Sequence, residues 1–181
     1  MASETRSSGL DPGFVIAFVA PGFVAFLALS YHLPAAGAWM DAASKAEQGV
    51  GVFLFVLLAS LAMGLIVSGV RALTIDNILC CQWLPRRFIV RRPVIRWDKV
   101  DSETLPIVLT VRDALYRHYQ FYSNTLVALI FWTLSHATAE VASLSYGQMV
   151  VIIIALIALL FSARDSLLRY TNAVNQMFQS K

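Results

Sequence analysis

The stretch VRDALYRHYQFYSNTLVALIFWTLSHATAE, Val111 to Glu140, starts charged, passes through Tyr116, Tyr119, Phe121 and Tyr122, turns apolar, and ends on His136 and Glu140. It reads as one helix in two solvents, beginning in water and entering a bilayer near Phe121. The tyrosines then form an interfacial belt, where a ring is apolar on one side and hydrated on the other. In the water-exposed half, Asp113 and Arg117 make an i,i+4 pair of favourable order.

The whole chain agrees with a lipid solvent. Of its 181 residues 58% are hydrophobic and 14% charged, and the mean hydropathy is +0.67, far more apolar than a soluble domain of this length requires. A bilayer-crossing helix needs roughly 20 mainly apolar residues. Four windows qualify, at 13–33, 50–71, 121–142 and 147–163, the last being short unless Tyr146 and Phe161 extend it. The expected fold is an all-α integral membrane protein with four transmembrane helices, helix 3 extended into the cytosol, and a small basic cytoplasmic insert between helices 2 and 3. A cleaved signal peptide is the competing reading of the first window, because Ala35 to Ala38 resembles a cleavage site. The long apolar run, with Glu4 and Asp11 diluting Arg6, favours an uncleaved helix.

Asymmetry of Lys and Arg orients membrane helices. Of fourteen basic residues, nine fall between helices 2 and 3, and only Lys45 falls between helices 1 and 2. The expected location is therefore the bacterial inner (plasma) membrane, multi-pass, with N-terminus and C-terminus cytoplasmic. The parts are an N-terminal tail (1–12), a hairpin (13–71), the insert (72–120), a second hairpin (121–163) and a C-terminal tail (164–181). Cys80 and Cys81 then lie in a reducing compartment, where no disulfide framework is expected.

Asp11-Pro12-Gly13 marks a helix start, with proline at a position that needs no donor. Pro21-Gly22 interrupts the same helix. Proline removes one backbone hydrogen bond, so a kink is expected near Ala17, and the carbonyl released there is tolerable in hydrocarbon only if a neighbouring helix covers it. Gly13, Ala17, Pro21 and Ala25 recur every four residues, as do Ser60, Gly64 and Ser68 on helix 2. These small-residue faces are expected to meet, within one chain or between chains. Helix 4 has no polar stripe and suits a lipid-facing position.

The insert, at about fifty residues, is too small for a generous core of its own. Leu73, Ile75, Ile78, Leu79 and Trp83 keep a helical spacing, so helix 2 is expected to continue or bend along the interface until Pro85. RRFIVRRPVIRW alternates arginines with apolar residues and suits a short edge strand. Arg86, Arg87, Arg91, Arg92 and Arg96 are the candidate residues for binding a partner or anionic lipid, each charge contributing about 1 kcal/mol near an anionic surface. Nucleic acid is unlikely as a partner, because the aromatics are not spaced as a stacking platform.

Inside the bundle, Asn124, Thr133, His136 and Glu140 are the candidates for a polar path; Thr133, His136 and Glu140 share one face near the outer end of helix 3, with His32 expected nearby. Arg164-Asp165 is expected to close helix 4. No HExxH, GxSxG, P-loop or glycine-rich dinucleotide turn is present, so no catalytic residue, cofactor or metal is expected and catalysis is disfavoured. The expected function is an oligomeric membrane subunit, assembled through its small-residue faces, whose insert docks a soluble cytoplasmic partner or anionic lipid and transmits a signal to the bilayer. A membrane effector or sensor of a bacterial defence system is one setting for such a subunit. The alternative is a small ion channel or transporter.

Overall fold

A computed structural model describes residues 12–45, 50–80, 90, 101–102, 104–139 and 144–179. All the elements among them are helical: α1 (Pro12–Ser30), α2 (Pro34–Ser44), α3 (Val50–Leu73), α4 (Ile75–Cys80), α5 (Thr104–Val111), a π-helical turn (Arg112–Tyr116), α6 (Arg117–Thr138) and α7 (Tyr146–Gln179). Two helical segments, Val50–Leu79 and Tyr146–Phe178, are long and apolar enough to cross a membrane. A third crossing arises if α1 and α2, bent by 120° at Tyr31–Leu33, count as one broken span.

The third apolar window, on α6, lies outside that set. Ser123, Asn124, Thr125, Thr133, Ser135 and His136 dilute its hydropathy. Ser123, Thr125 and Thr133 each return a hydroxyl hydrogen bond to the carbonyl four residues earlier, at 2.5 to 2.8 Å, so their polarity is satisfied within the helix. Their low hydropathy therefore does not carry unpaired donors into the interior.

α1 packs against both α3 and α6, and α6 against α7. α1 runs parallel to α6 and antiparallel to α3: Ala17 meets Asn124 near one end, Ala25 joins Val67 and Ala128 midway, and Tyr31 meets His136 at the other. Small side chains set this spacing. Ala17, Ala25, Ala28 and Ser60 are all within 1% of full burial, and a Cβ on Gly22 would lie 2.6 Å from Gly64 N. The α1 and α3 backbones are thus in direct contact, as the small-residue faces indicate, but the closest approach uses Gly22 and Phe18 rather than the four-residue series alone. Ser68 is half-buried, and the buried stripe of α3 is instead Val56, Ser60, Gly64, Val67 and Arg71. A period of 3.6 residues carries a strict four-residue series off the contact face within two turns.

α2 lies over the far end of α1 and α3. Trp39 stacks near Phe26 (6.5 Å) and meets Phe55 edge-on (4.6 Å), while Ala36, within the segment that resembles a cleavage site, is buried beside Phe26 and Val56. α3 and α4 are separated only at Thr74, so helix 2 does continue. Of its expected face, Ile75 and Leu79 are buried, whereas Leu73 and Ile78 are exposed on other sides; Trp83 and the expected stop at Pro85 fall outside the described residues.

From Val111 to Thr138 the opening stretch is one continuous helical run, from the end of α5 through the π turn into α6. Val111 and Arg117, which flank the turn, both hold right-handed helical dihedrals. Asp113 pairs with Arg117 at 3.5 Å, as the spacing indicates. α7 departs from expectation: it does not close at Arg164-Asp165 but runs on to Gln179, with Arg169 bonding Asp165 (2.8 Å) along the helix surface. The apolar stripe Ala163, Leu167, Tyr170 and Val174 continues across that point and packs into the main core, and so extends the helix. Only 6% of the most apolar window of α7 is buried, in keeping with a lipid-facing helix.

Candidate functional site

Two polar constructions lie inside this apolar framework. The first answers the proline. Pro21 has no N–H, so the Ala17 carbonyl one turn earlier has no intrahelical donor. Asn124 Nδ2 of α6 donates to that carbonyl at 3.0 Å, and Asn124 is completely buried. The neighbouring-helix cover that the sequence demands is therefore Asn124. Its Oδ1 has no partner among the described residues.

The second lies where α3, α4 and α6 converge. Arg71, 4% exposed, continues the buried stripe of α3. The Thr74 break turns α4 so that Asp76 comes back toward it, with Arg71 Nη1 3.5 Å from Asp76 Oδ1. Tyr119, at the foot of α6, donates its hydroxyl to the same Asp76 oxygen, and the guanidinium sits over the Tyr119 ring, 5.3 Å from its centre. Arg71 Nε and Nη1 have no hydrogen-bond partner among the described residues. Tyr116 bridges onward, 5.6 Å from Tyr119 and 5.2 Å from Tyr170 of α7.

The insert touches this centre at Val90. Its amide donates to the Leu79 carbonyl (3.0 Å), and its side chain, 1% exposed, belongs to the cluster formed by Ile75, Leu79, Tyr119 and Tyr170. A residue of the insert thus shares a core with the charge-bearing ends of three helices.

Burial, reinforced by the bond to Asp76, holds the Tyr119 phenol well above its ordinary value. The folded chain keeps that proton where the unfolded chain releases it near 10.0, so this tyrosine makes stability fall as pH rises above that point. Burial also raises the Tyr170 phenol, so in an alkaline absorbance titration of the six tyrosines the late-ionising fraction should hold both, and Tyr119→Phe should shrink it while Tyr170 remains. A late fraction of undiminished size in Tyr119→Phe would refute the assignment.

The other candidates lie apart. Arg86, Arg87, Arg91, Arg92, Arg96 and Glu140 fall outside the described residues, as does the expected strand except for Val90. Gly13 sits in the first turn of α1, which starts at Pro12 as the sequence indicates. Thr133 bonds its own helix. His136 is half-buried between Tyr31 (5.5 Å) and Trp132 (5.4 Å), and His32 Nε2 does come near α6, at 3.4 Å from Thr138 Oγ1. The structure does not bring Asn124 together with Thr133: nine residues of helix turn them about 180° apart. Among the described residues, no group of three or more His, Cys, Asp or Glu side chains could hold a metal ion.

By sequence, Arg71 stands only among the orienting charges, Tyr119 only in the interfacial belt and Gly22 only beside Pro21, and Asp76 is not singled out. Their signal was present: Ser60, Gly64, Val67 and Arg71 step by four, three and four residues along one face, which carries an arginine into a stripe of small, buried positions. No protein-family model, curated protein or solved structure matches this chain.

Proposed function

We propose that this chain is a multi-pass membrane subunit with four crossings and both ends cytoplasmic. Its basic insert docks an acidic counterpart, a soluble protein or the anionic leaflet, and passes the event to α6. One observation carries this reading: Val90 of the insert is seated in the core that also holds Tyr119, with the Arg71–Asp76 pair beside it. Any displacement of the insert must either break that seat or move the foot of α6. The incompletely bonded guanidinium makes the seat sensitive, because a buried charge tolerates little loss of its partners.

The orientation is supported by where the described charges collect. Arg71, Arg112, Arg117 and Arg169 gather at the α6 foot, and Lys45 lies at the other end. A reporter fused to the C-terminus and found in the periplasm would overturn it.

The test of transmission is hydrogen exchange in nanodiscs with increasing phosphatidylglycerol. The backbone of α4 and the foot of α6 should exchange about tenfold more slowly once the insert is engaged, and Arg91→Glu with Arg92→Glu should abolish the response. Asp76→Asn should leave lipid engagement intact while uncoupling α6 from it. Engagement of the insert by lipid or a protein partner with no change at α6 would end the transmission reading. The channel alternative predicts ion flux in liposomes that disappears with Asn124→Leu.

A further inference from the structure

At the foot of the bundle a groove of about 550 Å³ opens between the π turn, α6 and α7. Leu115, His118 and Tyr122 line one wall; Ser162, Asp165, Ser166 and Arg169 line the other. It sits at one particular depth, where the apolar window of α6 begins near Phe121 and that of α7 ends near Ala163. π-Helical turns recur at functional sites, and this one sets the wall that carries Leu115.

The polar groups are of mixed sign. Arg169 Nε bonds Asp165 Oδ2 at 2.8 Å, an arrangement that uses one guanidinium donor and one carboxylate oxygen, and both residues line the groove. The lining therefore offers cationic donors and serine hydroxyls to a phosphodiester, and a carboxylate to a nearby ammonium. The Asp165–Arg169 pair is formally neutral, so a multiply anionic headgroup gains no net charge there, and a quaternary ammonium has no N–H to give Asp165.

Helical periodicity aligns two stripes that run from this groove toward the other end of α6 and α7. His118, Tyr122, Thr125, Leu129 and Trp132 follow one stripe of α6, and Ser162, Ala158, Ala155 and Val151 follow the facing stripe of α7. Ala158 and Ala155 leave the seam shallow where bulkier residues would fill it. Its far end is a second groove, of about 480 Å³, bordered by Trp132, Gln148 and Val151. From Ser162 to Val151 the helix rises about 16 Å, within the reach of an acyl chain.

We propose that this seam holds one phosphatidylethanolamine molecule of the inner leaflet, with its phosphate at Arg169, Ser162 and His118, its ammonium at Asp165, and one acyl chain along Ala158 and Ala155. The site rests on the membrane reading above but not on the docking role of the insert.

The test is native mass spectrometry of the full-length, delipidated protein in detergent, titrated with phosphatidylethanolamine, phosphatidylcholine and phosphatidylglycerol of identical acyl chains. Phosphatidylethanolamine should bind about tenfold more tightly than phosphatidylcholine. Asp165→Asn should erase that preference, Arg169→Gln should weaken all three lipids, and Ala158→Trp should block the track. Asp165 and Arg169 are both exposed, so the variants should keep the unfolding midpoint of the parent. Equal binding of the three lipids, a preference that survives Asp165→Asn, or stronger binding of phosphatidylglycerol would each overturn the proposal. Soluble glycerophosphoethanolamine binding as tightly as the lipid would assign the groove to a free phosphodiester instead. Loss of the exchange response to the insert removes the docking reading alone; a chain that folds as a monomer in plain buffer removes both.

Discussion

Replacing Asn124 with Leu is expected to lower the unfolding free energy in detergent by about 3 kcal/mol, and adding Pro21→Ala is expected to recover most of that loss. The reasoning concerns one carbonyl. In the parent chain, Ala17 O is paired only because Asn124 reaches it from another helix. Leucine would leave that oxygen buried and unpaired in apolar surroundings, which costs about 1–3 kcal/mol in proteins and several in hydrocarbon. Alanine at position 21 restores a backbone N–H one turn from Ala17, and the helix can then satisfy the oxygen itself. The four proteins of the cycle should show a coupling of about 2 kcal/mol, with the packing change at position 21 cancelling between its two sides. Urea or thermal unfolding in a single detergent measures it. Additive effects, within about 0.5 kcal/mol, would mean that the asparagine is not covering the proline gap.

The second large effect is expected at the α1–α3 crossing. A Cβ on Gly64 would lie 2.8 Å from the Phe18 carbonyl carbon and closer still to its oxygen, and one on Gly22 would strike the backbone of Ser60 and Gly64. Backbone cannot step aside as a rotamer can. Gly64→Ala or Gly22→Ala must push the two helices apart, at a cost of about 3 kcal/mol or more, and loosen Ala25, Val67 and Ala128 beyond. Gly69, on the same helix with nothing within 4 Å, supplies the control: Gly69→Ala should be neutral or stabilising by up to about 1 kcal/mol. Unfolding midpoints, together with a distance between labels on α1 and α3, distinguish separation from simple loss of stability. A Gly64→Ala variant as stable as Gly69→Ala would show that the helices are not in backbone contact.

The parts of this fold readable in the sequence were those governed by one helix and its solvent. The helical run through Tyr116 and Tyr119, the Asp113–Arg117 pair, the helix start at Pro12 and the exposed face of α7 all follow from local spacing and composition. The need for something to cover Ala17 was also readable, because proline chemistry is local. That Asn124 supplies the cover was not, since it is 107 positions distant and packing alone brings it there. Arg71 shows the converse error: counting it only as a topogenic charge hid its place on a buried face. The early stop assigned to α7 has a similar cause, since Arg164-Asp165 looks like an ending until the apolar stripe beyond it is followed to Val174. α6 falls outside the helices apolar enough to cross a membrane although the hydroxyls of Ser123, Thr125 and Thr133 bond its own carbonyls and Asn124 Nδ2 bonds α1, a compensation that hydropathy does not count.

The length of α7 has a further consequence. Its uncharged run from Tyr146 to Ala163 measures about 27 Å, against about 30 Å for a typical hydrocarbon slab, and Arg164, Asp165 and Arg169 fix its lower edge. The helix has little spare apolar length with which to lean over. In a thicker, sterol-rich membrane it would have to pinch the surrounding lipid, whereas a thin one would accept it as it stands. On the membrane reading proposed above, bilayer thickness becomes a variable to which α7 responds, independently of anything the insert binds.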